Sequence, residues 1–209
     1  MDLSVIVPCH NLESFITPLL VSLRLQIIEA IDCELIFICD ACTDRTLEKI
    51  NAFNFGSEYK QITIKEVAHH HPGLARNEGL DIAQGDIILF LDGDDYLINP
   101  LALHIVVESI RKYNIPIVRF QYDATKFWKD RFPNGHPSMV WQYAYTKELI
   151  GDTRFKKILP SEDYDFNKRI FKKINNKIPS IPNQLYFYNY IREGSIMTNH
   201  FNKLQEERS

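Results

Sequence analysis

The feature that most constrains this chain is a strand-then-helix rhythm repeated four times without a break. Leu3 to Val7 is an apolar run closed by Pro8, and an amphipathic stretch from about Leu12 to Ala30 follows, with Asn11 placed to cap it. Glu34 to Cys39 is β-rich (Leu-Ile-Phe-Ile), and Thr43 to Phe53 carries Leu47 and Ile50 at helical spacing. Ile62 to Val67 alternates as a strand, and Leu74 to Gln84 is predicted helical with Gly85 as its C′ stop. Asp86 to Leu91 (Ile-Ile-Leu-Phe-Leu after the acid) reads as a strand buried on both faces, the predicted centre of a parallel sheet. Asn99-Pro100 then opens a helix to about Tyr113. Right-handed crossovers between such units make a doubly wound α/β sheet. Sheets of this kind bind ligands beyond the carboxyl ends of their strands. Those ends carry Pro8 to Asn11, Cys39-Asp40, the His69 to Gly73 loop and Asp92 to Asp95.

After Ile115 the rhythm breaks. Ile115 to Phe120 reads as one more strand, Gln121 to Tyr145 as irregular and aromatic-rich, Asp163 to Ile174 as a helix with a basic outer face, and Gln184 to Tyr190 as a strand. With 209 residues, the chain is long enough for one well-buried core and short for two. The expected organisation is one domain over 1–200, with a ligand-binding half (1–114), a second half (115–200) and a frayed tail (201–209). A formal net charge of -3 excludes a protein built to grip nucleic acid, which needs a basic face. No apolar run approaches the roughly 20 residues that span a bilayer, and Met1-Asp2-Leu3 leads into a strand with no basic leader, so the expected compartment is the cytoplasm. Four cysteines (Cys9, Cys33, Cys39, Cys42) do not make a disulfide scaffold.

Asp92, Asp94 and Asp95 bracket Gly93 at the end of the buried strand. Carboxylates this close repel, and a cation between them resolves the conflict. A hard divalent ion, Mn²⁺ or Mg²⁺, takes one or two carboxylates and completes its shell with phosphate oxygens and water. Gly93, lacking a side chain, would let a phosphate or ribose come close to the backbone. The bland alternative is a solvated turn before the Asn99 helix. A calcium loop of the EF-hand type fails, because its glycine and glutamate positions hold Leu97 and Leu103.

Five runs occur in a telling order: Ser4 to Asn11 (SVIVPCHN), Ile38 to Thr46 (ICDACTDRT), Gly73 to Leu80 (GLARNEGL), Phe90 to Asp95 (FLDGDD) and Ser161-Glu162-Asp163. Together, over about Leu3 to Asn199, they resemble the family-2 glycosyltransferases of GT-A fold, inverting enzymes that draw on nucleotide sugars. The resemblance implies a hexosyltransferase-type enzyme moving a sugar from a nucleoside diphosphate donor, most often a UDP-sugar, to a glycan or lipid-linked acceptor in polysaccharide synthesis. By that similarity Pro8 and His10 line the base pocket and Asp40 hydrogen-bonds the base. Arg76 lies near the nucleotide and diphosphate, Asp92 meets ribose or metal-bound water beside Gly93, and Asp94 ligates the metal. Asp163 is the general base on the acceptor hydroxyl, with Glu162 positioning acceptor or helix. The second run departs from the family pattern, since Cys39 stands for its first acid and Ala41-Cys42 for its small pair. That departure bears on selectivity for uracil.

Rival readings attach to the same residues. Cys39-Asp40-Ala41-Cys42 has thioredoxin-like spacing, although Asp40 and Asp44 disfavour thiolate. Cys9, Cys39, Cys42 and His69-His70-His71 could converge on zinc. A binding module that has lost transfer would have no reason to retain Asp163. Trp128 and Trp141 are either core or platforms for acceptor sugars. The helix after Asp163, with Lys168, Arg169, Lys172 and Lys173, is either packed on the sheet or a peripheral contact with anionic lipid.

Overall fold

The computed structural model describes residues 1–125, 139–175 and 178–189. Eight strands form one sheet in the order β3-β2-β1-β4-β7-β6-β8-β5. The strands are β1 (Leu3–Cys9), β2 (Cys33–Asp40), β3 (Gln61–Val67), β4 (Ile87–Phe90), β5 (Tyr96–Leu97), β6 (Ile117–Ala124), β7 (Tyr143–Thr146) and β8 (Ser180–Tyr188). β1 pairs in parallel with β2 and β4, β2 with β3, and β6 with β8. β7 runs antiparallel between β4 and β6, and β5 antiparallel to β8. The α/β fold with a mostly parallel central sheet is as expected, and β4, buried at all four positions, sits at its middle.

Helices cover both faces because the buried strands alternate their apolar side chains. Leu3, Val5 and Val7 of β1 face α1 (Ile16–Arg24), α2 (Thr46–Ala52) and α4 (Ala102–Tyr113). Ile6, Ile36 and Ile38 face α3 (Pro72–Ile82), α5 (Lys147–Ile150) and α6 (Glu162–Lys173).

The element bounds differ from the periodicity where loop bonds intervene. α1 is shorter than predicted because the Leu12 amide donates to Thr46 Oγ1 (2.6 Å) and that of Glu13 to Asp44 Oδ2 (2.8 Å). Asn11 does not cap α1: it has a left-handed φ of 49° and accepts the Thr43 amide (2.8 Å). α3 starts two residues early, at Pro72, because His71 Nδ1 accepts the amides of Gly73 (3.1 Å) and Leu74 (3.4 Å). Gly85 is not its C′ stop. A Cβ there would collide with the Ser4 backbone, so the glycine serves the close approach of this turn to β1. β7 falls inside the stretch predicted irregular, at the centre of the sheet, while 126–138 and the expected tail 201–209 lie outside the described residues.

Candidate active site

The parallel strands β1 to β4 bring four loops to one edge. In the acidic loop, Asp95 is turned inward and only 1% exposed; it accepts Tyr186 Oη–H (2.6 Å) and the Asn189 amide (2.7 Å). Burial, then Asp94 and Asp92 nearby, push its carboxyl well above the ordinary range. Tyr186 Oη in turn accepts the Asp92 amide (3.2 Å) and Asn189 Nδ2 donates to the Asp94 carbonyl (3.3 Å), so the end of β8 clips the loop in place. Asp92 and Asp94 are the loop's half-buried acids. Gly93 has a packing reason as well: a Cβ would run into Leu12 and stand 3.1 Å from the Pro8 carbonyl oxygen. The glycine lets the loop pack on the end of β1.

Arg76, on α3 and 3% exposed, gathers the acids. Its Nη2 donates to Asp92 Oδ1 (2.6 Å) and its Nη1 to Asp163 Oδ1 (3.0 Å), with Glu162 Oε1 at 3.8 Å. Burial by itself works against the charge, and the carboxylates of Asp163, Asp92 and Glu162 more than compensate, so the guanidinium is held charged. The cation that the sequence argument demanded beside these acids is thus partly supplied by the chain. Asp163, at the start of α6, also accepts the Val140 amide (3.2 Å). Burial pushes its carboxyl up to about 7, Arg76 pulling down while Glu162 and Asp92 push up. With 15% of its side chain still exposed, Asp163 is a carboxyl poised near neutrality within reach of solvent.

Two residues that sequence reasoning left without a role join the halves of the sheet here. Asn77 Nδ2 donates to the Phe155 carbonyl (2.9 Å) and its Oδ1 accepts the Phe155 amide (2.8 Å). Gly73 leaves room for Phe155 and Glu162, which a Cβ would meet at 2.9 and 3.3 Å. The signal was present in Gly73-Leu74-Ala75-Arg76-Asn77, but only the fold shows that this helix face receives the segment leading to Asp163.

At the other side of the edge, Asp40 is 3% exposed, and its carboxylate accepts the amides of His69 (2.6 Å), His70 (2.9 Å) and His71 (2.7 Å). The carboxylate expected to read the base holds this loop in place. The Asp40 carbonyl meets His10 Nδ1 (2.6 Å), and the exposed His10 ring stands edge-on to His70 at 6.3 Å beside half-buried Pro8. The three histidines serve separate ends: His69 Nε2 bonds Glu78 (2.8 Å), His70 faces His10, and His71 caps α3. With Nδ1 accepting two amides, the neutral His71 ring carries its proton on Nε2. That nitrogen and Arg76 Nε are both buried with no hydrogen-bond partner among the described residues.

The rival chemistries fare poorly. Among the described residues no group of three or more His, Cys, Asp or Glu is arranged to hold a metal by itself. Cys39 is pulled down by its bond from Cys42, but Cys9 and burial push it up to about 12, so thiolate is disfavoured. Trp141, 1% exposed, is stacked between Tyr186 (4.6 Å) and Tyr188 (4.9 Å), which makes it core and no platform for a sugar; Trp128 lies outside the described residues. α6 buries Phe166 and Ile170, and Lys173 donates to the Leu149 and Ile150 carbonyls, as in a helix packed on the sheet. No described helix is long and apolar enough to cross a membrane.

A β-strand end bearing paired acids, faced by a buried carboxyl from the second half of the chain, is the arrangement that the sequence resemblance implies, and comparison with known proteins identifies the family. Residues 4–192 match the family described as Glycosyl transferase family 2. The chain belongs to that family. It is 28% identical over 217 residues to the poly(ribitol-phosphate) beta-N-acetylglucosaminyltransferase TarS of Staphylococcus aureus, covering 95% of this chain and 37% of TarS. It is 35% identical over 97 residues to a poly(ribitol-phosphate) beta-glucosyltransferase of Bacillus spizizenii, covering 46% of this chain and 15% of that one. The chain therefore spans well under half the length of these relatives. The structure of S. aureus TarS 1-349 in complex with UDP-GlcNAc superposes with a TM-score of 0.78 at 25% identity, over 95% of this chain and 61% of that one. The mannosyltransferase PcManGT from Pyrobaculum calidifontis, in complex with GDP-Man and Mn2+, has the same fold with a TM-score of 0.74 at 17% identity, over 98% of this chain and 64% of that one. Glycosyltransferases of this kind have the GT-A fold, and the sheet described above is that fold.

Proposed function

We propose that this chain is the donor-binding and base-bearing core of an inverting glycosyltransferase that takes a sugar from UDP to a glycan or lipid-linked acceptor. The observation that carries the reading is the bracketing of Arg76 by Asp92 and Asp163, which sets a near-neutral base from α6 opposite the acidic end of β4. The staphylococcal relative solved with UDP-GlcNAc supports the choice of nucleotide.

The residues present fit a hard divalent cation. Asp92 and Asp94 offer only oxygen, Asp95 is committed to Tyr186 and Asn189, and a protein-only site is lacking among the described residues, as suits an ion that completes its shell with phosphate oxygens and water. Asp94, with Asp92, would hold Mn²⁺ or Mg²⁺, which supplies positive charge to the departing diphosphate. Pro8 and His10 shape the base pocket at the ends of β1 and β2, with Asp40 fixing its third wall through the His69–His71 loop. The Nε2–H of His71, without a hydrogen-bond partner among the described residues, adds unmet hydrogen-bonding capacity suited to an oxygen-rich ligand. Asp163 takes the proton from the acceptor hydroxyl, whose oxygen attacks the anomeric carbon on the face away from the diphosphate; the new C–O bond forms as the bond to the UDP oxygen breaks, which inverts the centre and releases UDP, and Glu162 keeps α6 against α3. The test is calorimetry with UDP, UDP-GlcNAc, UDP-glucose and GDP-mannose, with and without Mn²⁺, on wild type and Asp94→Ala. Metal-dependent binding of a uridine donor that Asp94→Ala loses is the expected result; binding unchanged in excess chelator would sink the metal assignment.

A further inference from the structure

The family resemblance assigns Arg76 to the donor's phosphates, but its surroundings give it another task. Nη1 and Nη2 are committed to carboxylates on two different elements, Asp163 on α6 and Asp92 after β4, at 3.0 and 2.6 Å. The guanidinium lies over the Phe155 ring (5.5 Å to the centroid), and that ring is stacked on Phe166 (4.1 Å, 4°) and meets Phe90 edge-on (5.5 Å, 85°). The Phe155 ring, backed by Phe166 and Phe90, and a carboxylate on either side hold the planar fork in a single well-defined orientation. Asn77, on the next residue of α3, ties the same Phe155 by two backbone bonds.

We propose that Arg76 is a positioning residue, a rigid strut that sets the base Asp163 at fixed reach from the donor-side acid Asp92, and that it acts on the reaction through Asp163 and not through the donor's phosphates. The inference rests on Asp163 being the base. A strut of this kind needs the geometry of arginine. Lysine delivers one point charge and cannot hold two carboxylates that lie on opposite sides of the fork. As a phosphate ligand, in contrast, lysine is an adequate substitute.

The two roles separate in a single set of variants: Arg76→Lys, Arg76→Met, Asp163→Asn and the double variant Arg76→Met/Asp163→Asn. For each, the affinity for UDP with Mn²⁺ is measured by calorimetry, and kcat and the donor KM by transfer from labelled donor. The strut predicts that Arg76→Lys loses about tenfold or more in kcat with UDP affinity and KM within about threefold of wild type. It also predicts that the double variant is no slower than Asp163→Asn, because a residue acting through another adds nothing once that one is gone. Lysine restoring kcat, or UDP affinity falling tenfold in Arg76→Lys, would overturn the proposal in favour of phosphate binding, as would a double variant markedly slower than Asp163→Asn. Should Arg76→Met fail to fold with its acids uncompensated, Arg76→Lys, which retains the charge, still decides. If Asp163→Asn transfers at the wild-type rate, it is the base assignment that fails, and the strut with it; if Asp163→Asn is inactive and Arg76→Lys is not, only the strut fails.

Discussion

The elevated carboxyl of Asp163 makes the pH profile the sharpest handle on this site. A general base works only when ionised, and a group that titrates at about 7 is about half ionised at pH 7, about a tenth at pH 6 and about nine-tenths at pH 8. The donor kcat/KM, which reports the free enzyme, is therefore expected to fall about fivefold from pH 7 to pH 6 and to rise nearly twofold from pH 7 to pH 8. An ordinary aspartate, titrating near 4, would give a flat line over the same range. Glu162→Gln probes the cause, because Glu162 is one of the like charges that raise Asp163. Removing it favours the ionised base, so the acidic limb should move to lower pH, and more of the rate should survive at pH 6 than in wild type. The assay is initial rates from labelled donor between pH 5.5 and 8.5 at fixed ionic strength, with stability checked by melting at each pH. A wild-type profile flat from 5.5 to 8 would refute the assignment of a buried, near-neutral base, and a limb that moves upward in Glu162→Gln would refute its electrostatic origin.

Further outcomes follow from named contacts. Asp163→Asn is expected to lower kcat by about 10²–10⁴-fold, or roughly 3 to 5 kcal/mol of barrier, with UDP affinity nearly unchanged in calorimetry, while Glu162→Gln at its optimal pH is milder. If Glu162→Gln is the inactive one, the two roles are exchanged. Asp40→Ala leaves three loop amides without an acceptor, at about 2 to 4 kcal/mol, so its melting temperature should drop by about 5 to 15 °C in a thermal scan. Unchanged melting with lost UDP affinity would show instead that this carboxylate reads the base directly.

The alternating and unbroken apolar runs of the first half determined its strands, their parallel pairing and both helical faces, since burying a strand on two sides leaves only such a pattern. They also located the ligand edge, because the strand ends are where the fold leaves backbone and polar side chains open. Asp163 stood out only through the family resemblance, whereas the acidic loop was legible as chemistry from residue type. What each polar group does there was not. Asp40, Asp95 and Gly93 are short-range sequence neighbours of the site, yet their partners (the His69–His71 amides, Tyr186 with Asn189, and Leu12) come from distant segments that periodicity does not pair. β7 escaped notice for a related reason: an antiparallel strand inserted between β4 and β6 has no crossover helix to announce it. Trp141 carried two readings until its stacking on Tyr186 and Tyr188 decided between them. The joining of Asp92 to Asp163 through Arg76 was invisible for the deepest reason. Local residue patterns determine which groups a chain must bury or expose, whereas a charged cluster drawn from three elements exists only once packing has excluded the water that would otherwise separate its members.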